Sequence, residues 1–147
     1  ESGIQDIGLE PLCELIEAAE VLFIDSTHTV KVGSDCVYIY LKLLPSIRSN
    51  LVVHAHDITL PYAYEIKNLD RHVYWTEQYL LYAYLLDNPK TEVLTGSLYA
   101  KRLLPALSKE MMCNRYADGG GSIWFDYKGD AANPRKRWPR YFGHWFK

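Results

Sequence analysis

Cysteine is scarce in this chain, with three among 147 residues, at positions 13, 36 and 113. Their odd number and wide spacing exclude a disulfide framework and a paired-cysteine metal site. They read as reduced thiols, and a cytoplasmic location is the expectation. No apolar run approaches the roughly 20 residues needed to span a bilayer. The opening Glu1-Ser2-Gly3-Ile4-Gln5-Asp6 lacks the basic-then-apolar pattern of a secretory leader. Repeats and low-complexity segments are absent too. Net charge is small, −2, but it hides an asymmetry: residues 128–147 carry six Lys or Arg against one Asp. The rest of the chain is therefore acidic, and the average says little about partners.

What is present is ordinary for a globular chain, with 48% hydrophobic and 23% charged residues. The unusual element is a set of 12 tyrosines and 4 tryptophans, which suit cores, interfaces and ligand pockets alike. The length predicts one domain with a sizeable core. We place that domain at residues 1–127 and a basic, aromatic tail at residues 128–147.

Pro11 to Glu17 reads as a short helix with Leu12, Leu15 and Ile16 on one face. Residues 19–25 form a first strand. Ser34 or Asp35 can cap a helix that runs to about Leu44, stops at Pro45 and is covered on more than one side. Residues 50–56 form a second strand, followed by a long connection from Asp57 to Tyr74. Thr76 can cap a helix from Glu77 to Leu86, and Thr91 to Thr95 is a third strand. Ser97 to Met112 is helical and divided by Pro105. A glycine turn at residues 118–121 precedes a last strand, Ser122 to Tyr127, expected to be antiparallel. The alternation predicts an α/β fold with a mainly parallel sheet of about four strands and flanking helices.

Two apolar strands end in an acid beside a histidine: Val21-Leu22-Phe23-Ile24-Asp25-Ser26-Thr27-His28 and Leu51-Val52-Val53-His54-Ala55-His56-Asp57. Ligands of such sheets bind at the carboxyl ends of strands. Asp25, His28, His56 and Asp57 are therefore the candidate catalytic residues on one rim. Each acid alone could simply cap the turn that follows it. Together with the histidines they suit a divalent metal, with Asp25, His56 and Asp57 as ligands. His28 or His56 also suits a general base, because free imidazole titrates near working pH. His54 shares a strand face with His56 and reads as a satisfied, partly buried histidine.

The runs Phe23-Ile24-Asp25-Ser26-Thr27-His28, Lys31-Val32-Gly33-Ser34-Asp35, Leu44-Pro45, Val53-His54-Ala55-His56-Asp57-Ile58, Leu60-Pro61, Glu77-Gln78-Tyr79 and Gly120-Gly121-Ser122-Ile123-Trp124-Phe125 resemble one branch of the class I S-adenosylmethionine-dependent methyltransferases. The similarity covers roughly residues 9–127 and corresponds to the C-terminal half of that Rossmann-like domain. It implies a methyltransferase-like protein acting on a small molecule. S-adenosylmethionine is the implied cofactor, held in that family chiefly by a glycine-rich loop in the first half. No such loop precedes Ile4, and Gly119-Gly120-Gly121 lies before a strand instead of between a strand and a helix. The chain is accordingly expected to begin near the third or fourth strand of the full fold. It should be inactive or incomplete alone, and should not bind the cofactor unaided.

In the family the connection after Asp57 covers the acceptor side, which makes Tyr62, Tyr64 and Trp75 candidate substrate-binding residues; the simpler reading is packing beneath a long loop. Tyr79, Tyr82 and Leu86 recur at helical spacing and read as core or interface. Missing its first half, the strand with Phe23 should have an open apolar edge. A homo-oligomer built on that edge or on uncovered helical faces is expected. In the tail, Trp138, Tyr141, Phe142, Trp145 and Phe146 alternate with basic residues. A nucleic acid or an anionic membrane could take such a segment, but folding back over apolar surface is favoured. Two other readings of the whole remain open: an oligomeric binding or assembly module, and a metal-dependent enzyme of unrelated chemistry using the same rim.

Overall fold

The computed structural model describes residues 3–114 and 120–129. A 3-10 turn at Ile4–Asp6 leads into α1 (Leu9–Glu17) and strand β1 (Val21–Ile24). Helix α2 (Asp35–Tyr38) continues as a wider π turn over Ile39–Leu43 and a 3-10 turn over Leu44–Ser46. Strand β2 (Leu51–His56), the short α3 (Lys67–Asp70), α4 (Glu77–Leu85) and β3 (Thr91–Gly96) follow. Then come α5 (Ser97–Leu103), α6 (Pro105–Met111) and β4 (Ser122–Tyr127). Pro105 divides the α5–α6 stretch as expected, since it enters at the start of a new helix, where its missing N–H is harmless. Pro45 does not end its helical segment for the same reason: it sits at the beginning of the last 3-10 turn.

The fold is α/β, but the sheet is mixed instead of mainly parallel. Its order is β1-β2-β4-β3, with β1 and β2 parallel and β4 antiparallel to both β2 and β3. The last strand returns into the slot between β2 and β3, so only one adjacent pair is parallel. Periodicity is blind to this, because a strand reads the same in either direction. Alternation fixes which face is buried. Leu51, Val53 and Ala55 of β2 lie inside with Ile123, Phe125 and Tyr127 of β4, beneath Leu12, Ile16, Tyr38, Tyr40, Leu43 and Leu81 from the helices.

The segment after Ser34 is covered on more than one side: Cys36, Tyr38, Ile39, Tyr40, Leu43 and Leu44 are all buried. Leu15 departs from expectation and points to solvent, because the buried stripe of α1 runs through Leu12, Cys13 and Ile16. All three cysteines are free. Burial pushes the Cys13 and Cys36 thiols up to about 11, with nearby acids adding to the effect. That makes them packing residues and not nucleophiles. No helix among the described residues is long and apolar enough to cross a membrane. The expectations for Trp138, Tyr141, Phe142, Trp145 and Phe146 lie outside the described residues.

Candidate functional site

The carboxyl ends of β1 and β2 adjoin because these strands pair in parallel, with Ile24 opposite Ala55. The next residues of each therefore meet at one rim. His28 Nε2 lies 3.5 Å from Asp25 Oδ1 and 3.6 Å from Asp57 Oδ2. His56 Nδ1 lies 3.6 Å from Asp25 Oδ1 and 3.5 Å from Asp57 Oδ1. All four candidate catalytic residues converge. The carboxylates are open to solvent, with Asp25 at 54% and Asp57 at 32% side-chain exposure, whereas His28 is buried.

What orients His28 is Glu77, which the sequence reading quoted without a role. Glu77 is fully buried at the start of α4. Its Oε2 takes His28 Nδ1 at 2.6 Å and the Ser26 hydroxyl at 2.6 Å, and its Oε1 takes the Tyr40 hydroxyl at 2.5 Å. Three donors and a place in the first turn of a helix compensate a carboxylate buried away from water. Burial holds the Tyr40 phenol well above its ordinary range, and Glu77's charge adds to this, so Tyr40 donates. Glu77 then acts as acceptor, which assigns the proton of His28 to Nδ1. Nε2 is the nitrogen that faces the rim, toward Asp25 and Asp57.

The backbone repeats this attachment. The carbonyl of His28 accepts from the N–H groups of Thr76 at 2.7 Å and Glu77 at 3.1 Å, and Thr76 Oγ1 accepts from Val30 N at 2.7 Å. Thr76 thus grips the loop after β1 instead of capping its own helix. Gln78, also fully buried, does the same for the loop after β2: its Oε1 accepts from Thr59 N at 3.1 Å and Thr59 Oγ1 at 2.8 Å. The first residues of α4 pin both halves of the rim. His28 (φ 56°) and Asp57 (φ 54°) both occupy the left-handed region, a costly conformation for residues with a Cβ. Asp35 ties the β1 loop from the other side, accepting from Thr27 N and Oγ1 at 2.7 Å each. Burial alone would raise the Asp35 carboxyl, but these bonds and that from Cys36 N outweigh it and hold it below its ordinary value.

Gly121 has a packing reason of its own. A Cβ there would come within 3.1 Å of Ile58 N and O and 3.2 Å of Asp57 carbonyl carbon. The glycine turn before β4 thus lets that strand close against the Asp57 turn.

Trp75 joins the site, its ring 4.7 Å from that of His28, and Tyr64 packs on Trp75 at 5.7 Å. Tyr62 does not join them; its ring stacks instead under the Arg102 guanidinium at 3.9 Å. His54 lies flat on Trp124, with centroids 3.9 Å apart and planes at 12°. It is partly buried as expected but not satisfied, since Nε2 has no hydrogen-bond partner among the described residues. Burial, then the neighbouring His56, pushes its pKa below the ordinary imidazole value.

Among the described residues no group of three or more His, Cys, Asp or Glu side chains is arranged to hold a metal ion. The assignment of Asp25, His56 and Asp57 as ligands gains no support from these positions, and no step is routed through a metal. A buried histidine held by a carboxylate can still move a proton at its other nitrogen. Glu77, Gln78 and Ser26 were the residues missed. Two adjacent polar residues opening an otherwise apolar helix were the available signal.

No protein-family model matches the chain, and neither the curated proteins nor the solved structures contain a detectable match to it.

Proposed function

We propose that this chain carries the acceptor side of a methyltransferase-like domain acting on a small molecule, with His28 as general base. An acceptor hydroxyl or amine bound at the rim gives its proton to His28 Nε2. Asp25 and Asp57, 3.5 Å and 3.6 Å away, receive that proton or orient the acceptor. Glu77 fixes the ring through Nδ1, and His56 lies across the same two carboxylates. Trp75 and Tyr64 wall the approach to the base.

The single observation that carries this reading is the 2.6 Å contact from His28 Nδ1 to buried Glu77, which aims Nε2 at the rim. The open edge at β1, where Val21 and Phe23 are exposed, accords with a sheet that continues in another segment. The described residues hold no glycine-rich turn between a strand and a helix. The methyl donor is therefore assigned no contact here, and no step is derived through it.

Nitrogen-15 NMR of histidine-labelled chain tests the base. The expected result is a His28 Nδ1 proton held in the hydrogen bond to Glu77, and loss of that signal in Glu77→Gln. A proton found on Nε2 in the wild-type chain would overturn the assignment. Calorimetry with S-adenosylmethionine and its demethylated product tests the division of labour. No micromolar binding by this chain alone is expected, and such binding would refute the claim that the donor is held elsewhere.

A further inference from the structure

A broad apolar face among the described residues is formed by α4, β3, α5 and α6. Ten of the nineteen exposed large hydrophobic side chains among the described residues fall between positions 82 and 112. Helices α5 and α6 contain no buried residue at all. Seven-residue helices do not persist in water by propensity, so something must cover their apolar side. Beside them, Tyr82, Leu86, Leu94, Tyr99 and Leu103 line a groove of about 620 Å³ between α4 and α5, floored by β3.

We propose that this face of α4, β3, α5 and α6 is where a second copy of the chain docks, forming a symmetric dimer. Leu107 and Met111 lie four residues apart on α6, 49% and 74% exposed. They form a ridge next to the groove. A two-fold axis between them seats the ridge of each copy in the groove of the other, which is the self-complementarity an isologous contact needs.

The area suffices as well. Eight side chains of this face are 45–57% exposed. At roughly 100 Å² each, they offer on the order of 800 Å² per copy, the size of a standard interface. The stripe of Tyr82 and Leu86, legible in the sequence as core or interface, is interface in this arrangement.

Sedimentation velocity on the full chain across the micromolar range tests the proposal. A two-chain mass is expected. Leu103→Glu and Leu107→Glu should each weaken dimerisation by about 30-fold or more. Leu15→Glu, on an exposed site of α1 outside this face, should leave the mass unchanged. Far-UV circular dichroism checks that the variants stay folded. If one unfolds, the wild-type chain still decides. A maleimide spin label goes to exposed Cys113, at the end of α6, because Cys13 and Cys36 are buried. One defined distance between labels on two copies is expected. A wild-type monomer overturns the proposal, as does a dimer that survives both substitutions. A monomer whose α5–α6 amides lose hydrogen-exchange protection when residues 130–147 are deleted overturns it in favour of the tail as the cover.

Discussion

The rim and the α5–α6 side are built from the same kinds of element, a strand followed by a helix, yet they differ in what closes them. At the rim, a buried carboxylate and a buried amide from adjacent positions of α4 reach the loops after β1 and β2, respectively. That region depends on polar closure inside a covered interior, where a missing partner costs far more than a present one contributes. On the α5–α6 side the Ser97 hydroxyl ties the start of α5 to Ser122 N and Gly120 O, but beyond it leucines face outward over two helices without a buried residue. The first region closes on itself through buried polar groups. The second leaves its apolar side exposed among the described residues, and in our proposal a second copy covers it. Substitutions in the two regions should distinguish the two roles.

The sharpest break in that contrast is at Glu77. Replacing it with Leu strands three donors in the interior and should destabilise the chain by about 3–5 kcal/mol. Glu77→Gln keeps the shape and should cost about 1–3 kcal/mol. Urea unfolding of both variants measures the difference, and equal losses would mean that volume, not polarity, matters there.

Leu81 and Leu104 sharpen the same contrast on the apolar side. Leu81 is fully buried and Leu104 is 54% exposed. Leu81→Ala should cost about 2–5 kcal/mol at any protein concentration. Leu104→Ala should cost no more than about 0.5 kcal/mol at high dilution, with a larger effect as concentration rises and copies associate.

Gly121→Val attacks the seam between them. Its Cβ would press on the backbone of Asp57 and Ile58, which cannot swing aside as a side-chain tip can. A loss of about 1–3 kcal/mol is expected, together with altered His28 and His56 NMR signals. Unchanged histidine signals would show that β4 packing does not shape the rim.

The smallest effects are pH-dependent. The folded Asp35 carboxyl lies below its ordinary value. Its contribution is therefore full above the normal carboxylate range and fades as pH falls through its folded pKa; Asp35→Asn should flatten that acid limb. His54 is depressed by burial and by His56. The unfolded chain therefore takes up its proton first, and stability falls as pH drops below about 6.5. His54→Gln should remove this decline, read as the urea midpoint between neutral and mildly acid pH. A midpoint that still falls equally in the variant would assign the decline to other groups.

Much of the fold was legible. Strands near 21–24, 51–56, 91–96 and 122–127, the division at Pro105 and the outward acids at strand ends all followed from local pattern. Leu15 was misread because a stripe predicted from 3.6-residue spacing says nothing of how far the neighbouring sheet extends. That the Tyr62 ring packs on Arg102 was not legible, because a loop's sequence does not say which way its rings turn. Glu77 was passed over because a glutamate at a helix start is nearly always solvated, and only the loops folded over it make it buried.

By itself, the sequence determined which segments are strands and helices, which face of each is apolar, and that an acid and a histidine close each of two strands. Those are properties of a residue and its near neighbours, set by side-chain period and turn chemistry. Only the tertiary structure decided that β4 enters antiparallel between β2 and β3, that His28 and Asp57 take left-handed backbone, and that Glu77 meets a histidine 49 positions away. Each of these depends on burial that exists only once distant segments have closed over one another.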